Sequence, residues 1–369
     1  MNATEDPNPS FEIDADVRLA RTPPASLYTD RGTHARIRER VLASGWSLLL
    51  EPDPHSALDV VPCSVAGEPT VWVRRGAEER LLSNVCTHRA ALLVDAPCNV
   101  DVLRCPYHGR RFRLDGSVLT APGFDGALGP EDALPSLALG AAGILRFGAV
   151  APRVPFAEWW APVDEALRDS GLELAALVRD STGDIDYPIE APWLLYLENY
   201  LEAFHIPFVH PELSKTLALE DYAHALLPHG TLQVGVAREG QPAFEPTTGR
   251  YAGQRVGAWW FWLWPATLVN IYPWGVSMNR IDDAGFGRSV VRYRAWIWDA
   301  SLRNVGAGGA LDVVEAQDQS VALRAWAGLQ SALYRRGRYS PTQESGLHHF
   351  HRMLAVALGS SRPLGVELR

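Results

Sequence analysis

Two short motifs constrain this chain more than any other feature of its 369 residues: Cys86-Thr-His88 and, after 16 further residues, Cys105-Pro-Tyr-His108. Each motif supplies one cysteine and one histidine from a single tight turn, and Gly109 directly after the second motif permits such a turn. Two Cys and two His can also hold zinc, but a zinc finger would place both cysteines in one pair and both histidines in the other. One thiolate and one imidazole from each loop suit a [2Fe–2S] cluster in which two cysteines hold one iron and two histidines hold the other. The spacing therefore predicts an iron–sulfur site.

A second group of residues with the chemistry of a metal site lies between residues 198 and 210. Asn199, Glu202 and His205 are spaced three apart and would share one face of the helix predicted over residues 192–206. Pro207 disfavours helix at the residue before it, so the chain can break there and return His210 toward His205. Two imidazoles and one carboxylate, with open positions, are the ligand set of mononuclear non-haem Fe(II) centres. The segment predicts such a centre.

The composition indicates a globular protein and excludes some classes of function. Hydrophobic residues make up 47% of the chain and charged residues 21%. The net charge of −9 argues against nucleic-acid binding, which needs a basic surface. The sequence contains no run of about 18 apolar residues, so no membrane span is expected. The polar, acidic N-terminus differs from a secretory signal, so a cytoplasmic location is expected. Cys63 and Cys98, outside the motifs, are expected to be free thiols.

The pattern along the chain predicts two domains. An Arg-rich helix is expected from about Asp30 to Leu42, and the short segments that follow, punctuated by Pro and Gly, are typical of a small antiparallel β domain. The stretch 149–156 is the expected boundary. Beyond it the chain mixes helical periodicity with aromatic strands: we expect strands within 258–274 and 287–300, and helices over 312–335 and 345–358.

The chain resembles the Rieske non-haem iron oxygenases, the aromatic-ring-hydroxylating oxygenase α-subunit family. SNVCTHRA and RCPYHGRRFRLDG resemble that family's Rieske motif, and Glu198 to His210 resembles its iron-binding motif. The resemblance implies an α+β fold in three parts. Residues 1–44 would be a tail and helix packing on the catalytic domain, residues 45–152 an antiparallel β Rieske domain, and residues 153–369 a helix-grip catalytic domain, in which an antiparallel sheet is crossed by a long helix.

The resemblance also implies roles for particular residues. The carboxylate ligand of the mononuclear iron would be Asp318, with Glu315 and Asp312 as alternatives. Glu202, together with Asn199, would belong to the catalytic apparatus, because the family's acidic residue at this position bridges the iron-ligating histidine to a Rieske histidine of the neighbouring subunit. That histidine would be His108 or His88 in this sequence.

Cofactors and partners follow from the same resemblance. The cofactors would be a Rieske [2Fe–2S] cluster and a mononuclear Fe(II), with O2 as co-substrate. The chain shows no flavin or nicotinamide fingerprint, so a separate reductase, with or without a ferredoxin, would deliver electrons from NAD(P)H. The resemblance further implies a homotrimer that acts on a small molecule, without nucleic acid or membrane.

Three departures from the family pattern are visible. Ala90 and Arg110 stand where the family often has Gly and Trp, and Pro192-Trp193-Leu194 stands in place of Asn-Trp-Lys. None of them removes a predicted ligand. We expect them to alter the packing of the cluster and the docking of partners.

The substrate is the least constrained feature. The strand AWWFWLW is aromatic on both faces, as is typical of a strand buried on both sides in a core. Alternatively, some of these aromatic side chains line a substrate cavity next to the iron, drawn from Trp259, Trp260, Trp262, Trp264, Tyr272 and Trp274. They suit a small apolar, aromatic or natural-product-like substrate that is hydroxylated or oxidatively demethylated. The alternative is a quaternary ammonium substrate bound through cation–π contacts, because ESGLHHFHRML resembles the subgroup of choline- and carnitine-type monooxygenases. We expect its histidines, His348, His349 and His351, to pack the helix or lie at the surface.

A different class of function is a Rieske electron carrier without oxygenase activity. About 200 residues follow the cluster motifs, and the His-x4-His pair is intact. Both features argue against an electron carrier.

Overall fold

The computed structural model describes residues 11–52, 57–124, 126 and 128–359; the first ten residues of the predicted N-terminal tail lie outside this range. The chain divides into two compact units, one formed by residues 43–157 and the other by the residues before and after that segment. The described residues combine helices with antiparallel sheets, which confirms the α+β fold class.

In the described part of the unit formed by residues 43–157, the regular structure consists of strands, short 3-10 turns and the start of a helix. Its strands are β1 (Ser47–Leu48), β2 (Val60–Val65), β3 (Glu68–Arg75), β4 (Glu78–Ser83), β5 (Val102–Arg104), β6 (Arg111–Arg113), β7 (Val118–Thr120), β8 (Ser136–Ala142) and β9 (Leu145–Ala149). They form a six-stranded sheet in the order β1-β9-β8-β4-β3-β2 and a three-stranded sheet in the order β5-β6-β7, with antiparallel pairing throughout.

The predicted cluster cysteines belong to the core of this unit. Cys86 and Cys105 are buried together with Val71, Leu103 and Phe112. The two loops that carry them, after β4 and after β5, are therefore held to the sheets by burial of apolar surface. This packing fixes where the thiols lie.

Asn84 fastens the first of these loops. Its side-chain amide donates to the Val94 carbonyl over 2.8 Å, and its side-chain oxygen accepts from the Val94 N–H over 3.0 Å. Asn84 is buried, so no water can replace these bonds. The loop between residues 84 and 94 is thereby closed around Cys86 and His88.

The other unit joins helices to one large sheet. Its helices are α1 (Ser26–Thr29), α2 (Arg31–Arg40), α3 (Phe156–Ser170), α4 (Trp193–Tyr200), α5 (Ile206–Val209), α6 (Pro211–Thr216), α7 (Leu311–Leu329) and α8 (Ser345–Ala357). Its strands are β10 (Val178–Ile189), β11 (Ala223–Leu227), β12 (Gly230–Val236), β13 (Val256–Leu263), β14 (Thr267–Tyr272), β15 (Gly275–Asp283) and β16 (Ser289–Ile297). The sheet is antiparallel, in the order β10-β16-β15-β14-β13-β12-β11.

The register of this sheet aligns a row of polar and aromatic side chains. Gln233 is paired with Trp260, Trp260 with Asn270, and Asn270 with Ser277. Because directly opposed residues point to the same face of a sheet, these four side chains from four strands form one continuous row. The region predicted as strand over 258–274 is the hairpin of β13 and β14 that contributes two members of the row.

The helix predicted over residues 192–206 is shorter than expected. α4 ends at Tyr200, and a separate helix, α5, begins at Ile206. The reason is Pro207: in a continuous helix its ring would clash with the carbonyl of Ala203, whereas the first turn of a new helix tolerates proline. Asn199 therefore lies on α4, while Glu202 and His205 lie in the turn after it, and the three do not share one helix face.

The other predicted helices agree with the structure more closely. α2 lies within the predicted 30–42, and Asp30 caps it by accepting from the Thr33 N–H over 2.7 Å. α7 ends at Leu329, not near residue 335, directly after Gly328, a residue that costs backbone entropy in a helix. None of the helices in the described part of the chain combines the length and apolar character needed to cross a bilayer.

Replacing Asn84 with alanine should destabilise the unit formed by residues 43–157 by about 2–4 kcal/mol, because it leaves the buried N–H and carbonyl of Val94 without partners. Urea denaturation followed by circular dichroism would measure the change. Asn99 is the matched control: it also makes two side-chain bonds to backbone, to Asp59 and Ala57, but at an exposed position. Asn99→Ala should cost less than about 1 kcal/mol, and equal losses for both variants would contradict the argument.

Candidate functional site

The two cysteine loops have the same backbone geometry. In the first, the Cys86 N–H donates to the Ala91 carbonyl over 2.8 Å, and the Ala90 N–H donates to the Cys86 carbonyl over 3.0 Å. In the second, the Cys105 N–H donates to the Arg110 carbonyl over 2.8 Å, and the Gly109 N–H donates to the Cys105 carbonyl over 3.1 Å. Each loop is thus closed by a reciprocal pair of hydrogen bonds around its cysteine.

This shared geometry shows how the first loop accommodates Ala90, one of the departures from the family pattern. Ala90 and Gly109 occupy equivalent positions, four residues after each cysteine, and both have positive φ, 56° and 72°. Glycine adopts this conformation freely, whereas alanine is strained in it. The hydrogen bonds that close the first loop hold Ala90 there.

Both thiols are buried, and backbone N–H groups are directed at their sulfur atoms. Burial is the main cause that raises the pKa of Cys86. Burial also acts on Cys105, but N–H groups of Tyr107 and His108 directed at its sulfur lower its pKa. N–H groups at the same two positions after Cys86, those of His88 and Arg89, are directed at the other sulfur. Such donors stabilise thiolates, the form that binds iron.

The two histidines of the motifs face each other at the surface side of the loops. Their ring centroids are 4.7 Å apart, at an interplanar angle of 63°. His88 is half-buried and His108 is exposed. The Nδ1 atom of His88 is buried and has no hydrogen-bond partner among the described residues, as expected for a nitrogen available to a metal. Two buried sulfurs and two adjacent imidazoles therefore fit a [2Fe–2S] cluster with its histidine side outward.

Arg110 connects the two loops. Its guanidinium is 3% exposed, donates to the Thr87 hydroxyl over 3.0 Å and lies 3.1 Å from a carboxylate oxygen of Asp132. It also lies over the ring of Phe124, 4.8 Å from the centroid. A paired, stacked guanidinium can occupy a position where the family often has tryptophan because its flat face packs as an aromatic ring does.

In the other unit, the interruption of the helix between α4 and α5 brings His205 and His210 together. Their ring centroids are 5.0 Å apart, at an interplanar angle of 81°. His205 directly precedes α5, and His210 lies between α5 and α6. One short helical segment therefore separates the two imidazoles and turns them toward the same point.

Each imidazole is oriented by a hydrogen bond at its Nδ1 atom. His205 Nδ1 donates to Glu202 Oε1 over 2.7 Å, and the Glu202 carboxylate also accepts from the His205 backbone N–H over 3.0 Å. His210 Nδ1 donates to the side-chain oxygen of Gln317 over 2.7 Å. These bonds leave both Nε2 atoms free to bind a metal, and a second partner of this kind is typical of metal-binding histidines.

The carboxylate facing both Nε2 atoms is that of Asp318, on α7. Its Oδ1 atom lies 2.8 Å from His210 Nε2 and 3.7 Å from His205 Nε2. One ligand atom from each of these three residues lies within 4.8 Å of the other two. Asn199 donates to the same Oδ1 over 2.5 Å. The donor set of two imidazoles and one carboxylate fits Fe(II).

The alternative carboxylates make other contacts and are not grouped with the two imidazoles. Glu315 accepts hydrogen bonds from the Tyr196 hydroxyl, at 2.7 Å and 2.9 Å from its two oxygens, and from the Asn279 amide over 3.0 Å. Asp312 faces Tyr187. Sequence reasoning missed Gln317, Tyr196 and Asn279, although Gln317 is adjacent to Asp318 in the sequence and could have been examined for that reason.

A cavity opens between the sheet and helices α4 and α7, and the three candidate metal ligands line it. Its aromatic wall consists of Tyr196, Tyr200, Tyr222, Trp260, Tyr272 and Tyr293. Trp260 is stacked with Tyr222, at a centroid distance of 6.0 Å, and donates to the Tyr272 hydroxyl over 2.9 Å. Glu202 and Glu315 also line the cavity, and its described lining residues include no lysine or arginine.

Of the six aromatic residues from which the cavity wall was expected to be drawn, Trp260 and Tyr272 line it. Trp259 alternates to the opposite face of β13, where it packs on Phe244, and Trp262 packs on Phe350 of α8. The three histidines of α8 are all buried, not at the surface, and each is hydrogen bonded within the fold. The expected packing role therefore describes them.

Family models match both units. A model described as "Rieske [2Fe-2S] domain" matches residues 46–136, and one described as "Ring hydroxylating alpha subunit (catalytic domain)" matches residues 175–360. The chain is 28% identical over 365 residues to the carnitine monooxygenase oxygenase subunit of Escherichia coli (strain K12), with 92% of this chain and 95% of that protein covered. It is 26% identical over 368 residues to the chloroplastic choline monooxygenase of Spinacia oleracea, with 92% and 79% covered.

Solved structures share the fold. A quaternary ammonium Rieske monooxygenase superposes with a TM-score of 0.77 at 21% identity, covering 95% of this chain and 99% of that one. A naphthalene 1,2-dioxygenase from Rhodococcus sp. superposes with a TM-score of 0.69 at 16% identity, covering 93% and 95%. The chain therefore belongs to the ring-hydroxylating alpha-subunit family: it is a Rieske oxygenase, an oxidoreductase that uses a [2Fe–2S] cluster, a mononuclear iron and O2.

Proposed function

We propose that Cys86, His88, Cys105 and His108 hold the Rieske cluster, and that the mononuclear iron is bound by His205, His210 and Asp318. The distances among the last three donor atoms and the burial of both thiols support this assignment. Residues 45–152 would then serve electron transfer, and residues 153–369 the oxygenation. When bound, the cluster supplies electrons one at a time and the mononuclear iron activates O2.

The protein's own residues prepare the second site for this chemistry. Glu202 and Gln317 fix the two imidazoles in the tautomer that presents Nε2. Asn199 holds the Asp318 carboxylate through its amide. The aromatic wall places apolar surface beside these ligands, which limits the access of water to the reaction.

Electrons reach this site from outside the chain in our proposal. A separate reductase, with or without a ferredoxin, reduces the cluster of one subunit of a homotrimer in the cytoplasm, and Glu202 then connects His205 to His108 or His88 of the neighbouring subunit. Exposed aromatic residues support contact with another chain at both sites. Phe204 and Phe208, beside His205, are 47% and 79% exposed, and Tyr107, beside His108, is 55% exposed.

We propose a compact quaternary ammonium compound as the substrate. The observation that carries this proposal is the cavity itself: six aromatic side chains and two additional carboxylates surround the candidate iron ligands, without a lysine or arginine among the described lining residues. Aromatic faces attract quaternary ammonium groups, and the carboxylates favour a positive charge over a neutral hydrocarbon. The names of the choline and carnitine monooxygenase relatives point the same way.

The purified holoenzyme, supplied with an NAD(P)H-dependent reductase, should consume O2 when choline or carnitine is added, and not when naphthalene is added. It should contain about three irons per chain, two from the cluster and one from the mononuclear site. His205→Ala should abolish uptake, remove about one iron and leave the Rieske absorption spectrum unchanged, because the two sites draw ligands from different segments.

His229→Ala is the matched control, because His229 also pairs with a glutamate, Glu158, but does not line the cavity. It should retain turnover and all the iron. Oxygen consumption only with aromatic compounds would refute the substrate class, and normal turnover by His205→Ala would refute the iron site.

Glu202→Gln should retain both metal centres and the trimer, yet slow electron transfer from the reduced cluster to the mononuclear iron by orders of magnitude. The amide cannot accept both hydrogen bonds from His205 with the strength of a carboxylate, and it weakens the proposed connection between subunits. Single-turnover oxidation of the pre-reduced cluster, with substrate and O2, measures the rate.

Glu212→Gln is the control for this change. Glu212 lies two residues after His210 at an exposed position, where it pairs with Lys215. Its variant should transfer electrons at the wild-type rate. If Glu202→Gln also did so with its iron content intact, Glu202 would have no part in electron transfer.

A further inference from the structure

We infer that Glu315 is the anionic group by which the active-site cavity selects a positively charged substrate. The inference rests on the proposed function, which it deepens by naming the residue that recognises the charge. Leu311, Val314, Glu315 and Asp318 line the cavity, and their spacing is that of one helix face.

Glu315 differs from Asp318 in its partners. Its carboxylate is held by neutral donors, the Tyr196 hydroxyl and the Asn279 amide, whereas Asp318 faces two imidazoles. Neutral donors orient a carboxylate without cancelling its charge. The described lining of the cavity includes no lysine or arginine, and the mononuclear iron would be held by Asp318 and two imidazoles, so a cationic ligand can pair with the Glu315 carboxylate.

Glu315 is also deeply buried, with 8% of its surface exposed. Burial raises the pKa of its carboxyl to about 7, against the effect of the hydrogen bonds from Tyr196 and Asn279. A cation bound beside the carboxylate would favour the ionised form and gain from the low dielectric of the cavity. A neutral ligand of the same shape would gain nothing from the carboxylate.

A neighbouring cavity supports the same preference. Glu315 lines it as well, together with Asp180 and Asp312. Its one described basic residue, Arg303, lies 3.1 Å from Asp180 and is stacked on Trp274. The surroundings on both sides of Glu315 are thus more acidic than basic and favour the approach of a cation.

The test compares choline with 3,3-dimethylbutan-1-ol, in which a carbon replaces the quaternary nitrogen. Dissociation constants for both would be measured by isothermal titration calorimetry on the reduced, iron-loaded holoenzyme under anaerobic conditions. The wild type should bind choline at least about 10-fold more tightly than the neutral isostere, and Glu315→Gln should bring the two affinities within about 3-fold of each other. Glu315→Asp, which keeps the charge, should keep part of the preference.

Glu212→Gln is the matched control, because it makes the same change of residue at an exposed position that lines neither cavity. It should retain the wild-type preference. A wild type without a preference for choline, or a Glu315→Gln variant that retains it, would overturn the inference. Binding and oxidation are measured separately, so selective binding of choline without its oxidation would contradict the proposed function and not the role of Glu315.

A second observation, independent of the first, concerns Arg110. We propose that its guanidinium raises the reduction potential of the Rieske cluster. The group is buried, its Nε atom has no hydrogen-bond partner among the described residues, and it joins the loop of Cys86 and His88, through Thr87, to the loop that Arg110 itself closes. Reduction adds one electron to the cluster, and a buried positive charge beside it stabilises the reduced state.

The ion pair of Arg110 with Asp132 permits a test in both directions. Arg110→Gln should lower the reduction potential of the holoenzyme, and Asp132→Asn should raise it, because it removes the negative charge that offsets the guanidinium. Arg111→Gln, which removes an exposed charge from the next residue, should shift the potential by less than half as much. Potentiometric titration of the Rieske electron paramagnetic resonance signal measures all three.

The outcomes separate a tuning role from a structural one. If Arg110→Gln loses the cluster, the reduction potential of Asp132→Asn still tests the proposal, because only an electrostatic role of Arg110 predicts a rise in that potential. A potential that is unchanged or lower in Asp132→Asn would overturn the proposal. So would an Arg110→Gln variant that keeps both its cluster and the wild-type potential.

Discussion

The candidate iron site depends on two hydrogen bonds made by imidazole nitrogens that do not face the metal position. Glu202 and Gln317 accept from the Nδ1 atoms of His205 and His210, so both Nε2 atoms face the Asp318 carboxylate. An imidazole without such a partner could rotate or adopt the other tautomer. One acceptor comes from the turn after α4 and the other from α7, so the site requires these two segments to be packed together, and the cavity between them is a consequence of the same packing.

The Rieske unit must hold a charged cluster inside a small β domain and still leave that cluster accessible for electron transfer. The thiols of Cys86 and Cys105 lie in the apolar core, and the imidazoles of His88 and His108 lie toward the surface. Two loops of the same geometry make this possible, because each places its cysteine inward and its histidine outward. The first loop maintains that geometry with alanine in a left-handed conformation, and the bonds of Asn84 and the reciprocal pair around Cys86 offset the strain.

The sequence predicted the parts of both sites that are local in the chain. Predicted ligand pairs two to five residues apart, such as Cys86 and His88 or His205 and His210, lie in the same turn or short segment, so their spacing was informative. The helix over 192–206 was predicted too long because hydrophobic periodicity continues past Tyr200. The break caused by Pro207 was expected at Ile206, whereas α4 already ends at Tyr200. The wall of the cavity could not be predicted: β13 is buried on both faces, so alternation alone does not separate Trp260 from Trp259, and the pairing of Asn279 and Tyr196 with Glu315 depends on the register of the sheet against α4 and α7.

The two acidic residues of α7 illustrate why residue type and spacing leave a role undetermined. Glu315 and Asp318 are three residues apart, face the same cavity and would be interchangeable on a helical wheel. Their neighbours differ: Asp318 meets two imidazoles whose orientation is already fixed, and the three donor atoms lie close enough together to hold one metal ion. Glu315 meets a hydroxyl and an amide, which donate hydrogen bonds to its oxygens but do not neutralise its charge. A carboxylate of the first kind is compensated by a metal, and one of the second kind by whatever cation enters the cavity, so the same helix face serves both the reaction centre and, as we propose, the recognition of its substrate.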